Sequence, residues 1–198
     1  MSVPEHLIRQ VAWIGLAWFS ITISAYAQMG AFDVTQLMQL LAKVETHEAH
    51  FTEKKMLVLL TEPLISKGTL RYRRPHYVER NTTAPKPERF TYENDTITIE
   101  AHGRKRRIQT GSQPILGALM ESIRATLAGD EEALRRHYKL VLAGTGANWA
   151  LELTPANTIM AQRIRHIRIT GSQDQLRLVE IVEVSGDQTK MTIDTTRP

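Results

Sequence analysis

His47-Glu48-Ala49-His50 sets two imidazoles and a carboxylate within four positions. A zinc-protease helix needs His-Glu-x-x-His, so that both imidazoles reach one metal and the glutamate acts as base. The spacing here is one residue short. The pair therefore reads as two exposed histidines ahead of a strand. Gly144-Thr145-Gly146 lacks the third glycine, the acidic partner and the strand–helix unit of a dinucleotide site, and reads as a turn. The chain has no Gly-x-Ser-x-Gly elbow, and Ser112 and Ser122 have no adjacent base. Arg104-Lys105-Arg106-Arg107 is a dense basic run without neighbouring aromatics on which bases would stack. It reads as a solvated strand face or a protein-docking patch, not as a nucleic-acid site. No catalytic residue, metal site or cofactor is expected.

Composition narrows the class further. There is no cysteine, which excludes a disulfide framework, a thiolate metal site and a lipidated cysteine. Stability must come from a packed core. The net charge of +4 is modest and suits contact with an acidic lipid or protein face without requiring one. Residues 1–27 read as a secretory signal: Arg9 and His6 at the start, an apolar stretch over 11–23, then Ala25-Tyr26-Ala27 as the cleavage site. The stretch holds about 13 residues, whereas spanning a bilayer takes about 20. Residues 28–198 are then expected as one domain in a bacterial periplasm.

The elements of that domain follow from periodicity. Leu37, Leu40, Leu41 and Val44 follow the helical i, i+3, i+4, i+7 rule, with Asp33 or Thr35 as N-cap. Short alternating runs are expected as strands at 51–60, 68–74, 77–82, 89–92, 96–101 and 104–110. Turns at Thr61-Glu62-Pro63, Pro85-Lys86-Pro87, Asn94-Asp95 and His102-Gly103 separate most of them. Ser112 is the expected cap of a helix that Pro114 opens and Gly129 closes. Its stripe is Ile115, Leu116, Leu119, Met120, Ile123 and Leu127. A shorter helix from Asp130 carries Leu134 and Tyr138. Strands resume at 139–143, 149–154, 163–170, 175–184 and 188–193. The alternation slips between Leu178 and Val179, which predicts a β-bulge. An antiparallel sheet of about eleven strands must curl, and helices on its open side would bury one face.

Two segments carry a resemblance. Phe51-Thr52-Glu53-Lys54, followed by Gly68-Thr69-Leu70-Arg71-Tyr72-Arg73-Arg74-Pro75, resembles the Phe-x-Gln-Lys and Gly-x-Leu-x-x-x-Arg-Pro pattern of LolA-like periplasmic lipoprotein carriers. The order helix, meander, helical insertion, second meander is similar too. Leu127-Ala128-Gly129-Asp130, the segment 149–155 and Ser185-Gly186-Asp187 look like a divergent LolA-related subgroup. Glu53 departs from the usual Gln, and the sequence stops right after the last strand, where such carriers continue.

The resemblance implies an α+β, mainly β fold: an incomplete antiparallel β-barrel of about eleven strands under an α-helical lid. Its apolar cavity would take acyl chains of a lipoprotein, glycolipid or other lipidated cargo, and Arg74 would hold the lid and gate the cavity. Alternation places Leu70 and Tyr72 on the face that Arg74 shares. A guanidinium on an apolar face needs acceptors, which helix ends or loop carbonyls would supply. Ile97, Ile99, Leu116, Leu119, Met120, Ile123, Leu127, Trp149 and Leu151 are the expected apolar lining, with Met56, Met120 and Met160 as adaptable fillers. The implied partners are an inner-membrane donor complex and an outer-membrane acceptor, with the carrier a monomer. The other reading is a periplasmic sensor or adaptor on the same fold, binding a protein partner without lipid transfer.

Overall fold

The computed structural model describes residues 32–195. The expected signal and its cleavage site lie outside the described residues. Helix α1 (Val34–Leu41) starts from a capping box: the Gln36 amide donates to Asp33 Oδ1 at 2.8 Å, and the Asp33 amide donates to Gln36 Oε1 at 3.2 Å. Leu37, Met38 and Leu41 form its buried face; Val44 lies beyond its end.

Six strands follow in meander order: β1 (Thr46–Met56), β2 (Leu64–Arg73), β3 (Tyr77–Ala84), β4 (Glu88–Glu93), β5 (Thr96–Ala101) and β6 (Arg104–Gln109). Helices α2 (Pro114–Ala128) and α3 (Glu131–His137) interrupt them. The second meander holds β7 (Tyr138–Thr145), β8 (Asn148–Pro155), β9 (Ile164–Ser172), β10 (Gln175–Glu183) and β11 (Gln188–Asp194), with the one-turn helix α4 (Thr158–Ala161) between β8 and β9. All eleven strands form one antiparallel sheet in the order β6-β5-β4-β3-β2-β1-β11-β10-β9-β8-β7. The first and last strands, β1 and β11, join the two meanders, for instance at Phe51↔Ile193. The sheet does not close into a barrel: β6 and β7 remain its edges, and the chain between them supplies α2 and α3.

Two apolar clusters fill the inner face. The larger packs α1 against Leu151, Leu153, Ile167, Ile169 and Ile193, and includes Trp149. The smaller gathers Tyr92, Ile97 and Met120, with Val78, Phe90, Ile99, Ile108 and Leu116 around them. Leu119 of α2 touches both.

Several local expectations are corrected. His47-Glu48-Ala49-His50 lies within β1, where Ala49 is buried and His47 half-buried. Ser112 does not cap α2; its hydroxyl donates to the Gln109 carbonyl at 2.7 Å within a short 3-10 turn, and Gln113 stands at the cap position without a side-chain bond. Tyr138 opens β7 rather than ending α3. Two register slips separate β10 from β9: one between Leu176 and Leu178, with Arg177 the extra residue just before the expected place, and one between Val182 and Glu183.

Candidate functional site

Alternation in the strands decides which side chains meet inside. In β1 and β2 the facing pairs are Ala49↔Leu70 and His47↔Tyr72; from β2 to β4 the rows continue as Tyr72↔Val78↔Tyr92 and Leu70↔Arg80↔Phe90. Across the β1–β11 seam, Met191 pairs with Val179 of β10, and Val179 with Ile169 of β9. At Gly68, opposite Phe51, a side chain would run into the Asn81 carbonyl and the Phe51 ring, so only glycine lets these strands approach.

The helix over this wall has two distinct faces. Ala118, Ser122, Ala125, Thr126 and Ala128 are buried, and Ala118 and Ala125 join the cluster that contains α1. At the helix end Gly129 adopts φ 67° and lies so close to the Met38 carbonyl and Ala42 that no β-carbon fits. The larger side chains Leu119, Ile123 and Leu127 stay half-buried. They face a cavity of about 330 Å³ whose other walls include Leu70, Tyr72, Val78, Phe90, Val179, Ile181 and Met191. The apolar stripe of α2 is thus divided: Leu116 packs into the smaller cluster, while Leu119, Met120, Ile123 and Leu127 each touch core and also border the cavity.

Polar groups mark the two ends of the cavity. At one end Arg80 bonds Glu53 at 2.9 Å and Ser66 at 3.0 Å, and its guanidinium lies 4.7 Å from the Phe51 ring centre. At the other end His47 lines both the cavity and a wide polar recess of about 870 Å³ that also borders Glu45, Arg71 and Asp174. Burial pushes the His47 pKa below its usual value, while the Asp174 carboxylate pulls the other way. Burial also raises the Tyr72 hydroxyl, whose oxygen has no hydrogen-bond partner among the described residues.

A charge network ties the lid helix to β4 and to the start of α3. Arg124 donates to Glu121 through Nε (2.8 Å) and Nη2 (2.7 Å), and Nη2 also reaches Asp130 at 2.9 Å. The Tyr92 hydroxyl of β4 donates to Asp95 Oδ1 at 3.1 Å and lies 3.4 Å from Glu121 Oε2. Arg124 holds the Glu121 carboxyl below its usual range, and the two carboxylates raise Arg124 in turn. Burial and the Glu121 charge push the Tyr92 hydroxyl strongly up.

Of the expected site residues, the structure brings Leu70, Tyr72, Leu119, Met120, Ile123 and Leu127 together around the cavity. Ile97, Ile99 and Leu116 pack in the smaller core cluster, and Trp149 and Leu151 in the larger one. Trp149 is fixed there by its indole N–H, which donates to the Gln173 carbonyl at 2.9 Å. Arg74 sits one residue past β2 and does not line the cavity. Its Nη1 donates to the Ala42 carbonyl at the end of α1, against which Gly129 packs, and its amide donates to the Glu45 carbonyl at 2.9 Å. Met56 is exposed and Met160 is core, so Met120 and Met191 are the methionines at the cavity. The lining from β10 and β11 was not read from the sequence; its alternation was visible, but its position opposite α2 depends on the β1–β11 pairing. Among the described residues no cluster of His, Asp and Glu is placed to hold a metal ion, and no helix is long and apolar enough to cross a membrane.

A half-open antiparallel sheet with a helix roofing an apolar cavity defines a class of binding protein. The chain belongs to the outer membrane lipoprotein carrier protein LolA-like family, whose model matches residues 26–196. No curated protein matches it. Among solved structures it is similar to a LolA superfamily protein from Nitrosomonas europaea (7% identity, 83% of this chain and 94% of that one, TM-score 0.43). It is also similar to a DUF1329 family protein from Desulfovibrio piger (12%, 82% and 89%, 0.47) and to the lipoprotein LppX from Mycobacterium tuberculosis (12%, 83% and 96%, 0.42). Likeness at this level concerns the course of the backbone and says nothing of ligands.

Proposed function

We propose that this chain is a periplasmic carrier that shelters an acyl chain of a lipoprotein or other lipidated cargo under α2 and moves it toward the outer membrane. One observation carries the reading: Leu119, Ile123 and Leu127, though each touches a core cluster, stay half-buried along a cavity of about 330 Å³. Leaving part of a large aliphatic side chain without partners forfeits dispersion contacts that a hydrocarbon guest would restore. The volume lies at the small end of ligand pockets, about 300–1,000 Å³. At about 30 Å³ for each water-sized group, it holds on the order of ten methylenes, one acyl chain of medium length. The polar recess beyond His47 leaves room for the head of the same molecule. A donor in the inner membrane and an acceptor in the outer membrane follow from the family's role.

Native mass spectrometry of protein taken from its own periplasm tests this. The expected result is a bound mass that fragments to an acyl chain. Bare protein that also fails to bind added dodecanoate would overturn the proposal. A salt-sensitive protein partner captured in place of lipid would favour the adaptor reading. The exposed cations Arg104, Arg106 and Arg107 on the edge strand β6 are the feature that supports it.

A further inference from the structure

The chain also exposes a cluster of aliphatic side chains that the cavity does not use. The loop between β1 and β2 carries Val58 (67% exposed), Leu59 (95%) and Leu60 (48%), and Leu64 and Ile65 continue it into β2. Val184, in the turn between β10 and β11 that also holds Val58, is exposed too. The loop is held in place: the Val58 amide donates to Asp187 Oδ1 at 2.8 Å, and the Val58 side chain touches Gly186. An aliphatic residue almost wholly in water at the apex of an anchored loop is costly for a free monomer and marks a surface that something covers.

We infer that this tip inserts into the surface of a bilayer containing anionic lipid. The tip is aliphatic and carries no aromatic anchor of the kind a protein hot spot uses. Cations flank it. Lys54 and Lys67 stand exposed on the outer face of β1 and β2, next to Ile65 and Ala84 in the ladder, and Lys86 is exposed in the turn after β3. None of these three forms an ion pair among the described residues. Glu62 is the one acid in the loop. Aliphatic insertion with lysines at the rim is how peripheral segments bind anionic membranes. The tip is also continuous with the cavity: β1 contributes Glu53 to the wall and runs directly into the loop, and the lining residue Thr189 follows shortly after Asp187. Docking here would set the cavity's Arg80–Glu53 end toward the lipid. The docking stands on the loop itself; the carrier reading supplies only its purpose.

The test is flotation of the full chain with vesicles of phosphatidylglycerol and phosphatidylcholine in equal parts, or of phosphatidylcholine alone. Wild type should float with the anionic vesicles and much less with the neutral ones. Leu59→Asp should weaken binding at least about tenfold, since a whole leucine no longer inserts. Lys54→Gln with Lys67→Gln should weaken it about fivefold for each lysine removed, and added salt should do the same. Both variants change exposed side chains and should melt as wild type does. Wild type that ignores anionic vesicles, Leu59→Asp that floats as well as wild type, or equal binding to both vesicle types would each overturn the inference. Dodecanoate binding in solution, measured on the same proteins, should be unchanged by Leu59→Asp. Wild type that floats but takes up no dodecanoate would uphold the docking and remove the carrier reading alone.

Discussion

Val179→Trp separates an empty cavity from a filled one. Val179 of β10 points into the space under α2, between Met191 and Ile169 in the ladder. The indole adds about three water-sized groups, on the order of 90 Å³ at about 30 Å³ each. That is roughly a quarter of the 330 Å³ available. If the space is real, the ring occupies it without displacing core, and stability stays level or rises. If side chains fill it in solution, overpacking costs about 1–3 kcal/mol. Ligand binding gives the second readout. Three methylenes that no longer fit lose about 0.8 kcal/mol each, about 2.4 kcal/mol in all, or about fiftyfold in affinity. The assay is competition of saturated fatty acids from octanoate to palmitate against a fluorescent fatty acid, alongside urea unfolding. Wild-type affinity should climb with chain length and level off near ten to twelve carbons; in the variant it should level off about three carbons earlier. A variant that is destabilised by 1–3 kcal/mol yet binds every chain as wild type does would refute the reasoning, because the ring would then have entered packed core and missed the ligand.

His47 makes stability depend on pH. Burial lowers its folded pKa beneath 6.5, so as pH falls through 6.5 the unfolded chain takes up a proton that the folded chain refuses. Urea midpoints should therefore drop between pH 7 and pH 5 in wild type, and His47→Phe should flatten that slope; parallel slopes would count against the assignment. Arg124→Met removes the cation that Glu121 and Asp130 share, at 10% side-chain exposure, and should cost about 3–5 kcal/mol in denaturant unfolding. Adding Glu121→Gln should recover part of that loss, a coupling that a double-mutant cycle reads directly. Gly171→Ala places a methyl against the Trp149 ring and the Gln175 carbonyl and should destabilise by about 1–3 kcal/mol. From residue 28 onward Trp149 is the sole tryptophan, so a red-shifted emission would report its displacement.

The strands were legible where one face is buried and the other wet. Residues 96–101 read correctly because Ile97 and Ile99 alternate with polar neighbours. The start of β1 was missed because two histidines break the apolar rhythm, although His47 points inward. The start of β2 was missed because Leu64 and Ile65 are adjacent and both exposed, a pattern with no period. Helix α4 is a single turn, visible only as Asn157 capping the Met160 amide at 2.8 Å. The cavity posed a different difficulty. Period-two alternation says that Leu70, Ile97 and Leu151 all face inward, and they do. Inward has two meanings here: for Leu151 and for Ile97, which packs against Met120 of α2, it means core, and for Leu70 it means the wall of a void. Which helix covers a given strand depends on contacts between distant segments, and no local pattern records it.

The division of labour within α2 explains why the void persists. A helix carrying Leu116, Leu119, Ile123 and Leu127 would ordinarily settle with that stripe against the sheet, because burying each side chain is worth about 1.5–3 kcal/mol. Here the stripe settles only in part, Leu116 and Met120 packing beside Tyr92 and Ile97, and the helix is held by its other side as well. Ala118 and Ala125 join the α1 cluster, Gly129 meets the end of α1 at backbone distance, and Arg124 ties the helix to the cap of α3 through Asp130. Arg74 steadies the same end of α1 through the Ala42 carbonyl. None of these contacts involves the cavity, so they hold whether or not it is occupied. Contacts of this kind would hold the roof in place when the space is empty and, under the carrier reading, leave Leu119, Ile123 and Leu127 open to a guest.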